Sequence, residues 1–313
     1  MILAFSSVDG HLVPASAGSF EAAIWLDVHN PDEHERAIVE AMMPSRVPAR
    51  EEVEQIEPST RCFIDDAGIH LRSLYMERIP EGPTRRMTSV ACIIGEDRLV
   101  TVRYGANAEI HHLQQQAADR QIAITSTTDL AILLFEEKVE THADLVEAMH
   151  CEVAALRTEI HESDKKDWDE VLRRLGGLDD ENGKMRLCML DTSLGLAFLL
   201  RHLAGQVQQQ TSLHGIQQDV DALTSHVAYQ SEDIQFLMDS TRGFIGVRQN
   251  QINKGFSIAA VMFLPPTLIA GIYGMNFRFM PGLDSPLGYP LAIAAMVAAG
   301  LGPLWFFRRR GWL

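Results

Sequence analysis

Near the carboxyl end of this 313-residue chain, one helical face reads Asn250, Asn253, Ser257, Leu264, Thr267, Gly271 and Gly274. The face continues the phase of a heptad seam upstream, and most of its steps are small or polar although the segment around it is apolar. Amide and hydroxyl oxygens in such a row could line a hydrated path. The same small and hydroxylated residues could equally let helices pack closely, and the spacing alone leaves both readings open. Other chemistry is weaker. His111-His112 looks like a metal pair, but no third ligand stands at useful helical spacing, so both read as surface histidines. No nucleophile–base pair stands out and no phosphate-binding glycine loop is found, so the chain is not expected to be an enzyme.

The elements that would position this face come from the charge pattern. There is no charge between Lys254 and Arg278, and two apolar runs, Phe256–Tyr273 and Leu287–Phe307, are each long enough to span a hydrocarbon core as a helix. Basic residues Arg242, Arg248 and Lys254 precede the first run and Arg308-Arg309-Arg310 follow the second, while the intervening loop holds only Arg278 and Asp284. Both termini are therefore expected on the cytoplasmic side. Tyr273, Tyr289, Trp305 and Trp312 lie near the span edges, as interfacial aromatics do. Pro265-Pro266 should bend the first span and free backbone carbonyls.

Upstream, positions 216, 220, 223, 227, 230, 234, 237, 241 and 244 step by four and three and read Ile, Val, Leu, Val, Gln, Ile, Leu, Thr, Phe. This is a seam of about four heptads, and it enters the first span without a proline. A helix unbroken from about 216 to 273 would be roughly 85–90 Å long, and only about 30 Å of it would fit in a bilayer core. The remainder should form a cytoplasmic stalk. Two helices cannot enclose a pore, so conduction would require a cyclic ring with the first span as its lining.

Residues 1–135 read as α/β, with strands at Ala23–Val28, Gly68–Met76, Thr88–Gly95, Arg98–Arg103 and Ile122–Thr127. Turns at Asp65-Asp66-Ala67-Gly68 and Gly95-Glu96-Asp97 suit antiparallel hairpins. Asn30-Pro31-Asp32-Glu33 suggests a helix start capped by Asn30. Residues 136–215 read as helical, with a break at Gly176-Gly177 and a polar connection around Gly205 and Gly215. Stalk 216–255, span 256–273, loop 274–286, span 287–307 and a basic tail 308–313 complete the expected order.

The net charge is −15, which argues against nucleic acid as a partner and suits a surface that attracts cations. Cys62, Cys92, Cys151 and Cys188 form no CxxC pair, and they read as buried free thiols. The start, Met-Ile-Leu-Ala-Phe-Ser, lacks the basic and apolar regions of a signal peptide.

Tyr273-Gly274-Met275-Asn276-Phe277, set between two terminal spans, resembles the signature of the CorA family of magnesium and cobalt transporters. The likeness extends to Phe263-Leu264-Pro265-Pro266-Thr267-Leu268, Phe279-Met280-Pro281, Gly288-Tyr289-Pro290 and Arg310-Gly311-Trp312-Leu313. Trp25-Leu26-Asp27 with Pro31, Met185-Arg186-Leu187-Cys188, and Phe236-Leu237-Met238 with Gln249-Asn250 are similar to the enterobacterial type. The resemblance implies a homopentameric, funnel-shaped channel in the inner membrane, with a cytoplasmic α/β domain, a long helical stalk and two transmembrane helices per subunit. It implies Mg2+ as both transported and regulatory ion, with Co2+, Ni2+ or Zn2+ as other candidates, and self and the bilayer as partners. Gly274, Met275 and Asn276 map to the selectivity motif at the pore mouth. Asn250, Asn253, Ser257, Thr267 and Gly271 would line the pore, and Phe256 and Leu264 would form its hydrophobic gate.

Mg2+ dehydrates reluctantly, so a ring of neutral oxygens can hold the hydrated ion without stripping it, and weakly enough for release. Asp27, Asp65, Asp66, Asp219 and Asp233 are candidates for regulatory Mg2+, each weighed against a solvated or capping role. The chain departs from the family in Arg278 and Gly282 near the mouth, where acidic residues are usual, and Asp284 restores one negative charge nearby. It departs again in polar Asn253 near the gate, where a leakier constriction is expected. Two alternatives are a Zn2+ transporter of the related branch and a membrane-anchored metal sensor that does not conduct.

Overall fold

The structure, a computed structural model, describes residues 1–16, 20–55, 61–78, 85–162, 167–203, 207–275 and 285–311. These fall into two units, Met1–Met238 and Asp239–Leu313.

The first unit is built on seven strands: β1 (Ile2–Val8), β2 (His11–Pro14), β3 (Trp25–His29), β4 (Cys62–Asp65), β5 (Gly68–Arg78), β6 (Arg85–Ile94) and β7 (Leu99–Arg103). Their order in the sheet is β2-β1-β3-β7-β6-β5-β4. The β3–β7 pairing is parallel and every other pairing is antiparallel. The helices of this unit are α1 (Glu33–Glu40), α2 (Arg50–Val53), α3 (Ala108–Ala118), α4 (Thr127–Glu162) and α5 (Trp168–His202), followed by α6 (Val207–Tyr273).

Alternation along the central strands sorts their side chains between two cores. Trp25 and Leu99 join the large core, which also holds Ile110 of α3, Leu130 of α4 and Leu196 of α5. Leu26, Val28, Val100 and Val102 point the other way, to a smaller core with Val39 and Val53. All five residues of β7 are buried, as a strand covered on both faces requires. Each fully buried large apolar side chain contributes about 1.5–3 kcal/mol.

Both expected hairpin turns are present, joining β4 to β5 and β6 to β7. Gly68 has φ +126°, and a Cβ there would fall 2.1 Å from the Ile94 carbonyl oxygen, so only glycine fits. Five expectations change. Ile122–Thr127 is not a strand. It meets the edge of β2 by one bridge, His11 to Ala123, and α4 starts at Thr127 with Ser126 accepting from the Asp129 amide. The cap of α1 is Asp32, in a reciprocal capping box with Glu35. Asn30 instead sits at φ +45°, before the helix. Gly176-Gly177 does not break α5, which runs through it. Gly215 lies inside α6 rather than in a connection. Cys151 is exposed, while Cys188 is buried. Burial lifts the thiol of Cys62 to about 11 and those of Cys92 and Cys188 to about 12, so all three stay protonated.

Two buried polar networks tie the layers together. Asp27 on β3 accepts from Thr101 Oγ1 (2.8 Å), Arg103 Nη2 (2.9 Å) and Gln114 Nε2 (2.7 Å), which links β3 to β7 and to α3. Asp191 on α5 accepts from Arg61 Nε and the Leu74 amide, both at 2.6 Å. Lys138 Nζ is fully buried 3.9 Å from Asp191 Oδ2 and lies 4.6 Å above the Tyr75 ring.

Glu109 on α3 is 2 % exposed, and its Oε1 has no hydrogen-bond partner. Burial, partly opposed by the nearby Lys138 charge, lifts its carboxyl to about 7. The folded state therefore holds a proton that the unfolded chain loses near 4.5. Stability conferred by that proton falls as pH rises from about 4.5 through 7, by at most about 3 kcal/mol. Glu109→Gln is expected to melt with the wild type at pH 5 and several degrees above it at pH 8. Parallel melts at both pH values would sink this attribution.

The second unit contains the rest of α6, from Asp239, and α7 (Gly288–Arg309). Both helices contain stretches long and apolar enough to cross a membrane, with mean hydropathy 1.8 and little cover from the chain itself. Ala292 and Gly300 are buried on α7. A Cβ on Gly300 would lie 3.3 Å from Pro266 Cγ and 3.4 Å from the Met262 carbonyl oxygen, so the two helices meet closely there. That carbonyl is one whose usual donor Pro266 lacks.

Candidate functional site

The side of α6 that meets α7 can be read from which residues lose exposure. Ile258, Ala259, Met262, Pro265, Pro266 and Ile269 are partly covered, while the other residues from 253 to 275 are exposed. At about 100° per residue these six cluster around one direction. Asn250, Asn253, Ser257, Leu264, Thr267, Gly271 and Gly274 cluster about 180° away, and all are exposed. The polar face is therefore the side of the helix that α7 leaves bare. Phe256 (72 % exposed) and Leu264 (66 %) carry their bulky groups near the same side.

Two hydroxyls on this face already have donor partners on their own helix. Ser257 Oγ donates to the Asn253 carbonyl (2.9 Å), and Thr267 Oγ1 donates to the Phe263 carbonyl (2.7 Å). With the hydrogen so engaged, each oxygen turns lone pairs outward and acts as an acceptor. This suits a cation's water shell, whose hydrogens point away from the ion. No carboxylate stands on α6 between Asp239 and Tyr273, so the face presents neutral oxygens only. Gly274 and Met275 follow the helix end, where both are exposed, and the Gly274 amide bonds to the Ala270 carbonyl (2.8 Å). Asn276, Arg278 and Asp284 lie outside the described residues.

The expected seam is buried at Ile216, Val220, Val227, Gln230, Ile234, Leu237 and Thr241. Leu223 is partly covered and Phe244 is 42 % exposed. The acidic candidates for regulation have mixed surroundings. Both carboxylate oxygens of buried Asp27 already accept from Thr101, Arg103 and Gln114. Asp65 accepts from Ser45, the Ala67 amide and His70, which together hold its carboxyl below the usual range despite partial burial. Asp233 pairs with Arg157. Asp66 and Asp219 are exposed. Among the described residues no cluster of three His, Cys, Asp or Glu side chains could hold a metal. His112 pairs with Glu137 and is exposed, as a surface histidine should be.

Sequence reasoning missed the buried set around Lys138. His142, also fully buried, has neither ring nitrogen partnered, and burial together with the Lys138 charge keeps it neutral. The signal available was a Lys-x-x-x-His pair in phase with the apolar face of α4.

An α/β unit, a long helix with an apolar end and a second apolar helix have the build of a protein with two membrane spans. The model of the CorA-like Mg2+ transporter family matches residues 20–309, and the chain belongs to that family. The magnesium transport protein CorA of Escherichia coli K12 is 37 % identical over 295 residues, covering 93 % of this chain and 92 % of that protein. The protein of the same name from Haemophilus influenzae is 35 % identical over the full length of both chains. Among solved structures, the CorA magnesium transporter of Methanocaldococcus jannaschii superposes with TM-score 0.79 at 20 % identity, covering 100 % of this chain and 99 % of that one. The full-length CmaX protein superposes with TM-score 0.72 at 15 % identity, covering 98 % and 96 %. At those identities the two structural likenesses speak for the fold.

Proposed function

We propose that this chain carries Mg2+ across the inner membrane through a ring of five identical subunits, with both termini in the cytoplasm. The observation that carries the reading is the bare α6 face. Its oxygens are neutral, its hydroxyls are set as acceptors, and it lies opposite the side covered by α7. A single chain leaves that face in lipid, where unpaired polar groups are costly. A ring turns the same face onto a central water column.

In this reading Gly274, Met275 and Asn276 form the mouth, and Asn250, Asn253, Ser257, Thr267 and Gly271 line the path. Phe256 and Leu264 close it by excluding water. The relatives named for magnesium transport support Mg2+ as cargo. Co2+, Ni2+ and Zn2+ are further cargo to be tested, and cytoplasmic Mg2+ is the proposed closing signal.

The test is uptake in a host lacking its own magnesium transporters, with Mg2+ and Zn2+ offered at equal concentration. Mg2+ entry that exceeds Zn2+ entry is the expected result. Zn2+ entry alone would change the cargo. No flux from correctly inserted protein would leave a metal sensor as the better reading.

A further inference from the structure

The first unit carries two exposed apolar features of matching form. On α5, Leu187, Leu190 and Leu194 are 48 %, 49 % and 55 % exposed and stand in one row. They face roughly a quarter turn from the side of α5 that bonds to α6 through Asn182 and Ser193. Between α4 and α6 runs a groove formed by two adjoining hollows of about 710 and 690 Å3. Its floor is apolar, with Val139 and Val146 on one side and Ile216 and Leu223 on the other. Row and floor share one spacing: 187 to 194, 139 to 146 and 216 to 223 are each two helical turns, about 10 Å.

Charge follows the same complementarity. Arg186 and Arg201 flank the leucine row, both exposed and without an ion pair among the described residues. Glu140, Glu147 and Asp219 rim the groove and are exposed. Gln230, at one end of the groove, is 3 % exposed, yet neither atom of its amide has a hydrogen-bond partner. A buried amide left unpaired is costly, and a partner reaching into the groove would remove that cost.

We propose that the α5 leucine row of one copy docks in the α4–α6 groove of the next. The two surfaces differ, so the contact is head-to-tail, the kind that closes into a ring rather than stopping at a dimer. The inference rests on the ring reading above and adds which faces make the ring. Burying three leucines against an apolar floor, with arginines set over carboxylates, supplies both a dry centre and a charged rim.

The test places a benzophenone amino acid at Leu194 in the full-length protein in membranes. Assembly mass is measured first, and then the cross-linked peptides are identified. The expected product is a dimer-sized adduct joining position 194 to residues 136–150 or 216–230. A companion variant, Leu190→Glu with Leu194→Glu, is expected to lower the assembled fraction at least tenfold at limiting concentration. If an assembly forms but position 194 links to lipid, to another surface or only within its own chain, the docking is wrong and the ring stands. If the wild type is monomeric, both readings fall.

Discussion

Asp27→Ala is expected to lower the stability of the first unit by about 3–5 kcal/mol. Asp27 is 0 % exposed and faces an Arg103 side chain that is itself only 8 % exposed. Three donor residues converge on it from two elements, β7 and α3. Removing the carboxylate leaves a guanidinium buried without its counter-charge, together with an amide and a hydroxyl that lose their acceptor. The sheet is exposed to this loss at its parallel pairing, β3 with β7. For a unit of this size the apparent melting temperature should fall by about 10 °C or more. Asp27→Asn keeps one acceptor oxygen and should fall less. Circular dichroism melts of the solubilised full-length variants decide the matter. A melt for Asp27→Ala within a degree of the wild type would show that the network does not hold the layers together.

Asp27 also shows where sequence reading reaches its limit. Strong local signals were legible. The heptad seam, the two uncharged runs and the hairpin turns each rest on a pattern of neighbouring residues, and each appears in the structure. The Asp9-Gly10 turn between β1 and β2 belongs with them, since both residues have positive φ and Val8 pairs with His11 across a two-residue loop, as an Asp-Gly hairpin does.

Features fixed by distant partners were not legible. Ile122–Thr127 has strand composition, but only one bridge forms, because the helix start at Ser126–Thr127 takes the chain away from β2. Gly176-Gly177 looks like a break, yet α5 is held on both sides of the pair by buried Leu175 and Leu178. An acidic residue such as Asp27 reads as a metal candidate until the arginine 76 positions away is seen against it. The polar face of α6 was legible in phase. Its acceptor polarity, and its position opposite α7, needed the backbone.

Asn276→Ala is expected to reduce Mg2+ uptake to the background of a transporter-deficient host, with the protein still inserted and assembled. A hydrated Mg2+ presents water hydrogens outward, and the Asn276 side-chain oxygen is the proposed acceptor at the pore mouth. Each contact need not be strong. At about 0.5 kcal/mol per subunit, the five subunits of the proposed ring would together change the free energy by roughly 2.5 kcal/mol, close to 70-fold in rate or occupancy. Multiplication by symmetry makes a weak neutral ligand decisive, and it leaves each contact weak enough for the ion to move on. Asn276→Asp separates this account from simple blockage. A ring of carboxylates would bind the ion more tightly and release it more slowly, so flux should fall while metal bound at the mouth rises. Arg278 follows two residues further on in the sequence, and in the proposed mouth its charge would oppose cation entry, so Arg278→Ala should raise uptake at low external Mg2+ and change little at high external Mg2+. Undiminished uptake in Asn276→Ala, measured at matched surface levels, would remove the motif from the mouth and transfer selectivity to the Thr267 and Asn250 positions below it.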